Sequence, residues 1–117
     1  MSSILIVDPD QILLDLLQGF CTEKGYTART ARSGQEALQI LSEHPPDLVL
    51  SEVELPDVDG FTLVRRMYPV PVVLMSRDAA GCMRAEALRQ GAEAFFAKPL
   101  SLMMLNVQLA RLPPPRP

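Results

Sequence analysis

"SILIVDPDQILLDLLQGF", residues 3–20, changes its hydrophobic period halfway along, and that change decides the fold. "SILIVD" is a continuous apolar run with β-branched residues, which suits a strand buried on both faces. From Ile12 the period becomes helical, with Ile12, Leu13, Leu16, Leu17 and Phe20 recurring at the spacing of one helix face. Gly25 then supplies the stop typical of a helix C-terminus.

The same alternation continues. "YTARTA" alternates like an exposed edge strand, and Ser33 with Glu36 forms an S-x-x-E capping box that opens a helix carrying Ala37, Leu38, Ile40 and Leu41. "HPP" ends that helix, leaving His44 in a solvated loop. Three more strands are read at "DLVLS", "PVVLM" and "AFFA", separated by helical patterns at 61–67, about 80–90 and 101–112. Five strands alternating with five helices imply an α/β fold with a parallel, doubly wound sheet. For so small a unit the expected order is the flavodoxin-like 2-1-3-4-5.

A chain of 117 residues that is 48% hydrophobic reads as one domain with a substantial core. The expected boundaries are 1–112 for the domain and 113–117, within "LPPPRP", for a stiff extended tail or the start of a linker. The chain then reads either as a domain within a longer protein or as a complete single-domain protein. A formal net charge of −3 with no basic cluster argues against direct nucleic-acid or anionic-membrane binding. With no leader-like segment and no apolar run of spanning length, the expectation is a cytoplasmic protein. Cys21 and Cys82 have neither zinc-like nor redox-pair spacing and read as small buried thiols.

In such a sheet a ligand sits beyond the carboxyl ends of the strands, at the switch point between strands 1 and 3. The sequence puts Asp8, Glu52, Ser76 and Lys98 after strands 1, 3, 4 and 5, so four strand ends converge on one acidic pocket, with Asp10 and Glu54 at its margin.

With these residues in view, the chain resembles the receiver domain of bacterial two-component response regulators, from Met1 to about Leu112. "ILIVDPD" looks like that family's acidic strand end and "PDLVLSEVELPDVDG" like the segment around its phosphoryl acceptor. "PVVLMS" looks like the hydroxyl-bearing strand and "GAEAFFAKP" like the last strand with its Lys-Pro. The resemblance implies phosphoryl transfer from a histidine kinase to an aspartate, with a divalent cation held by the acidic residues. It also implies that Ser76 and the aromatic Phe95 rearrange to signal.

Two positions depart from that pattern, both at the chemistry. Glu52 stands at the acceptor position in place of Asp, and Pro9 stands where a second acidic residue is usual. One extra methylene displaces the carboxylate by about 1 Å, and errors of that size can cost on the order of 10²-fold in a positioned reaction. Losing a hard oxygen ligand at Pro9 impairs a site for Mg²⁺, which tolerates little departure from octahedral oxygen geometry. Asp8 is left as the metal ligand, since Asp10 lies one residue along a starting helix and points elsewhere. The expectation is no resident cofactor, with Mg²⁺ at Asp8 as the alternative.

Several of these residues also have a purely structural reading. Asp8 can cap the first helix, Pro9 suits the first helical position, and Asp10 favours the helix dipole. Asp57, Asp59 and Gly60 read as turn and cap residues. Ser76 can bond the backbone at a strand end, and Phe95 can be plain core. Lys98, a lone ammonium among acids, is expected to pair with Glu52 directly. Glu52 then reads as a fixed charge, and the domain as a non-enzymatic pseudo-receiver that acts by protein contact. The alternatives are a phosphorylatable receiver and a haloacid dehalogenase-like phosphatase with Asp8 as nucleophile and Asp10 as acid or base. The second needs acidic metal ligands after Lys98, and none follow. A flavin carrier would need a small-residue phosphate cradle after strand 1.

In the last helix, Leu102, Leu105, Leu109 and Leu112 make a stripe toward the sheet, whereas Met103, Val107 and Ala110 recur on the opposite side. That second stripe is expected to be an interface. The resemblance places it on the surface of helix 4, strand 5 and helix 5, which meets a downstream output domain, another protein or a second copy. A histidine kinase is the further partner implied. The stretch between Phe61 and Pro71 is short for the family, so helix 3 is expected to be clipped.

Overall fold

The opening apolar run forms β1 (Ser3–Val7), and the helical pattern after it forms α1 (Gln11–Glu23). The computed structural model describes residues 2–78 and 81–111. Leu112 of the expected stripe and the expected tail at 113–117 therefore lie outside the described residues. The remaining elements are β2 (Thr27–Ala31), α2 (Gly34–Glu43), β3 (Leu48–Glu52), α3 (Gly60–Met67), β4 (Val72–Ser76), α4 (Gly81–Arg89), β5 (Ala94–Ala97) and α5 (Leu102–Leu109). All strand pairs are parallel and the order is β2-β1-β3-β4-β5, the flavodoxin-like arrangement.

Both faces of the central strands are covered, which is why β1, β3 and β4 read as unbroken apolar runs. Leu5, Val7, Val49, Leu74 and Phe95 enter one core layer with Ala37, Leu63, Met67 and Ala87 from α2, α3 and α4. Ile4, Ile6, Leu48, Leu50, Val73 and Met75 enter the other layer, with helix residues from α1 and α5. Successive strand residues thus alternate between two cores, as the pleat requires.

The face of α1 that enters the core differs from the expected one. Leu14, Leu17 and Cys21 are buried, while Ile12 is 82% exposed and Leu16 57% exposed. The run "ILLDLL" offers leucines at two helical phases, and only packing against the sheet chooses between them. In α5, Leu105 and Leu109 are buried, but Leu102 is 38% exposed. Cys21 is buried, and loss of hydration pushes its thiol up to about 11. Cys82 is exposed on α4, contrary to the expected burial, because α4 sends only Ala87 fully into the core.

Helix ends are set by local chemistry. Asp10, rather than Asp8, caps α1: its Oδ1 accepts from the N–H groups of Ile12 (3.0 Å) and Leu13 (3.3 Å). Pro9 accordingly precedes the cap instead of occupying the first helical turn. Ser33 caps α2 through the Glu36 N–H, and α3 is clipped to eight residues, capped by Asp59. The turn after α1 uses Gly25 at φ 96°, a left-handed conformation that favours glycine. Gly60 answers a different need. A Cβ there would lie 2.8 Å from the carbonyl oxygen of Glu52, so only glycine lets α3 start against the end of β3.

Asp57 has a longer reach than a turn residue. Its carboxylate accepts from the N–H groups of Gly34 (2.9 Å) and Gln35 (2.8 Å), two open donors at the start of α2. The loop after β3 is thereby tied to a helix 23 residues earlier. The backbone N–H donors of Gln35 and Gly34 hold the Asp57 carboxyl below its usual range. A depressed folded value adds stability above the ordinary carboxylate range and loses it as pH falls through that folded value. Asp57→Asn should therefore be less stable than wild type near neutral pH in urea unfolding, and the gap should shrink below about pH 4.

Candidate functional site

The carboxyl ends of β1, β3, β4 and β5 stand side by side, and each delivers one polar residue. Asp8 follows β1 and its N–H is held by the Ala31 carbonyl at 3.0 Å. Glu52 is the last residue of β3, in register with Met75, and Ser76 ends β4. Lys98 follows β5, with its N–H donating to the Ser76 carbonyl at 2.9 Å.

From this position Lys98 reaches across β4. Its Nζ donates to Asp8 Oδ2 at 2.6 Å and to Glu52 Oε1 at 2.5 Å. The three side chains are 11%, 1% and 9% exposed, so the contacts lie in a largely dry setting. The other carboxylate oxygens are also engaged: Asp8 Oδ1 accepts from the Asp10 N–H (2.8 Å) and Glu52 Oε2 from the Glu54 N–H (3.1 Å). Burial works against the Lys98 ammonium, but the hydrogen bonds and charges of Asp8 and Glu52 outweigh it and hold its pKa above the usual lysine value. That contribution is complete below the ordinary lysine range and is lost only as pH rises through the raised value, so near neutrality the triad is fully formed.

Asp8 and Glu52 are thus brought together with Lys98, while the other expected site residues have different partners. Asp10 turns its carboxylate to the α1 N–H groups, and exposed Glu54, beyond the N–H it gives Glu52, pairs by its backbone with Asp59. Buried Ser76 uses its Oγ to accept from the Asp78 N–H at 3.0 Å. Phe95 is 3% exposed and belongs to the core layer shared with α4. Arg84 covers it, with its guanidinium 5.2 Å from the ring centroid and Nη1 donating to the Phe95 carbonyl at 2.9 Å. No motif singles out Arg84 in the sequence. An arginine inside the short segment "CMRAEAL" is its only signal.

The donor set does not fit a divalent cation. Among the described residues no three His, Cys, Asp or Glu side chains come together to hold a metal. Pro9 offers no side-chain oxygen, and the ammonium of Lys98 lies between the two carboxylates that remain.

On α5, Met103 is 76% exposed and Val107 51% exposed. Val107 and the 51% exposed Met104 look onto a groove of about 460 Å³ over β5, with Arg84 and Leu88 of α4 opposite. Met103 lies beside this groove and does not line it.

Residues 4–110 match the response regulator receiver domain family. The chain belongs to that family. This receiver domain is 30% identical over 112 residues to the transcriptional regulatory protein AfsQ1 of Streptomyces coelicolor, covering 93% of this chain and 50% of that protein. It is 34% identical over 111 residues to the sensor histidine kinase RcsC of Salmonella typhimurium, covering 92% of this chain but 12% of the kinase. Among solved structures, a two-component response regulator from Clostridium difficile superimposes with a TM-score of 0.87 at 31% identity, covering 93% of each chain. The receiver domain thus spans half or less of these two curated relatives. Among its described residues, no helix is long and apolar enough to cross a membrane.

Within this receiver domain, removing the ammonium would leave two buried carboxylates facing each other. Loss of one partner from a buried ion pair costs about 3–5 kcal/mol. Lys98→Met should lose stability on that scale in urea at neutral pH.

Proposed function

We propose that this receiver domain works by protein contact without phosphoryl transfer, with Glu52 as a fixed charge in place of a reacting group. The observation that carries the reading is the pairing of Glu52 Oε1 with Lys98 while Oε2 takes the Glu54 N–H. A nucleophilic carboxylate needs a free oxygen aimed at the incoming phosphorus, with a cation to offset charge on the moving group. Here both oxygens have donors and the cation ligands are incomplete. Glu52 does not reproduce a phosphorylated side chain in full, because a phosphoryl group carries about −1.5 to −2 charge and three acceptor oxygens.

A phosphorylatable receiver charged by a histidine kinase is the competing reading, and one experiment separates the two. Incubation with acetyl phosphate and Mg²⁺, followed by intact mass spectrometry under mild conditions, should give no phosphoryl adduct. A stable adduct mapped to Glu52 would overturn the proposal. The double variant Pro9→Asp with Glu52→Asp should gain Mg²⁺ binding and, with it, some phosphorylation.

The output face in this proposal is the surface of α4, β5 and α5, with Met103 and Val107 as anchors and the adaptable Met104 beside Val107 on the groove wall. Its partner is a downstream output domain, another protein or a second copy. Burying Met103 and Val107 would contribute about 1.5–3 kcal/mol each. Sedimentation at rising concentration should show association that Met103→Glu and Val107→Glu weaken. Association unaffected by both substitutions would remove this face from the proposal.

A further inference from the structure

Leucines of α1, the exposed Leu16 with Leu13 and the floor residue Leu17, form one wall of a second groove, on the other side of α5 from the proposed output face. Leu13, Leu16 and Leu17 face Leu100 and Leu102 across it, and Pro99 joins them, enclosing about 560 Å³. That volume lies within the roughly 300–1,000 Å³ of small-molecule sites. The polar lining groups, Asp10, Arg77 and Lys98, all sit at the end next to the carboxyl edge of the sheet.

Of those three, two are already committed. Lys98 is held by Asp8 and Glu52, and Asp10 turns its carboxylate to the α1 N–H groups, whose partial positive charge offsets it. Arg77 is different. It makes no ion pair or side-chain hydrogen bond among the described residues. An apolar trough closed at one end by a single available guanidinium has the complementarity of an apolar chain with one anionic head.

We infer that the groove between α1 and α5 binds a small amphipathic carboxylate, an aliphatic or aromatic acid whose head pairs with Arg77 and whose body lies among Leu13, Leu16, Leu100 and Leu102. The guanidinium fork suits a carboxylate, to which it donates two parallel hydrogen bonds. The ligand would rest on Pro99, the neighbour of Lys98, so binding would bear directly on the segment that carries the triad. The site is independent of the phosphorylation question, since a phosphoryl adduct on Glu52 would leave the groove and Arg77 in place.

The test is a titration of ¹⁵N-labelled domain with decanoate below its micellar range, with decanol, acetate and an amphipathic helical peptide in parallel. Decanoate should give saturable shift changes confined to α1, Arg77 and residues 99–102. Decanol and acetate should bind at least about tenfold more weakly, as should decanoate to Arg77→Gln. Leu16→Glu should abolish decanoate binding while leaving the remaining spectrum folded. The inference fails if the shifts do not saturate or scatter over the surface, if decanol matches decanoate, or if Arg77→Gln binds normally. It also fails if the peptide takes the groove and decanoate does not, or if the same resonances move with protein concentration alone because a second copy fills it.

Discussion

The ammonium of Lys98 between Asp8 and Glu52 is the contact on which the carboxyl edge of the sheet depends. Two carboxylates at the ends of adjacent strands β1 and β3 repel at close range, and in a dry setting the repulsion is severe. One cation reaching from β5 across β4 turns that repulsion into attraction. The second oxygens of both acids take backbone N–H groups just downstream, so the same contact fixes the start of the segment leading to α1 and the loop after β3. Asp57 carries that order onward by tying the loop to α2, and Gly60 lets α3 begin against the Glu52 carbonyl.

Much of this was legible in the chain because it rests on period and strand ends. Two-faced burial makes β1, β3 and β4 continuous apolar runs, and the parallel order follows from their alternation with helices. Once the order is fixed, the convergence of Asp8, Glu52, Ser76 and Lys98 follows from position alone. Helix phase was less legible. In α1 two sets of leucines satisfy the same period, and the choice of Leu14, Leu17 and Cys21 is made by the sheet. Ser33 and Asp59 cap where they were read, but the cap of α1 was not: Asp8 and Asp10 both suit a helix start, and only the backbone path gives the role to Asp10.

Contacts between residues distant in sequence were the least legible. Asp57 reads locally as a turn residue, and nothing in its neighbours points to the open N–H groups of α2. Arg84 against Phe95 and the uncommitted Arg77 beside the α1 leucines likewise have no sequence pattern. Each is a long side chain whose partner is chosen by where neighbouring strands end. The family's acidic cation site, by contrast, could be judged from Pro9 alone, because proline has no side-chain oxygen in any conformation.

The triad also has a place in the order of synthesis. Lys98 meets Asp8 across 90 residues and Glu52 across 46, so the cation leaves the ribosome after both acids and after the central strands of the sheet. Until then, a nascent chain that has paired β1 with β3 holds two like charges at one edge with nothing between them. Chain growth favours early local structure, and contacts of such separation close late. The last strand therefore does more than add an edge to a finished sheet: its arrival neutralises a fault that the first half of the chain carries from the start.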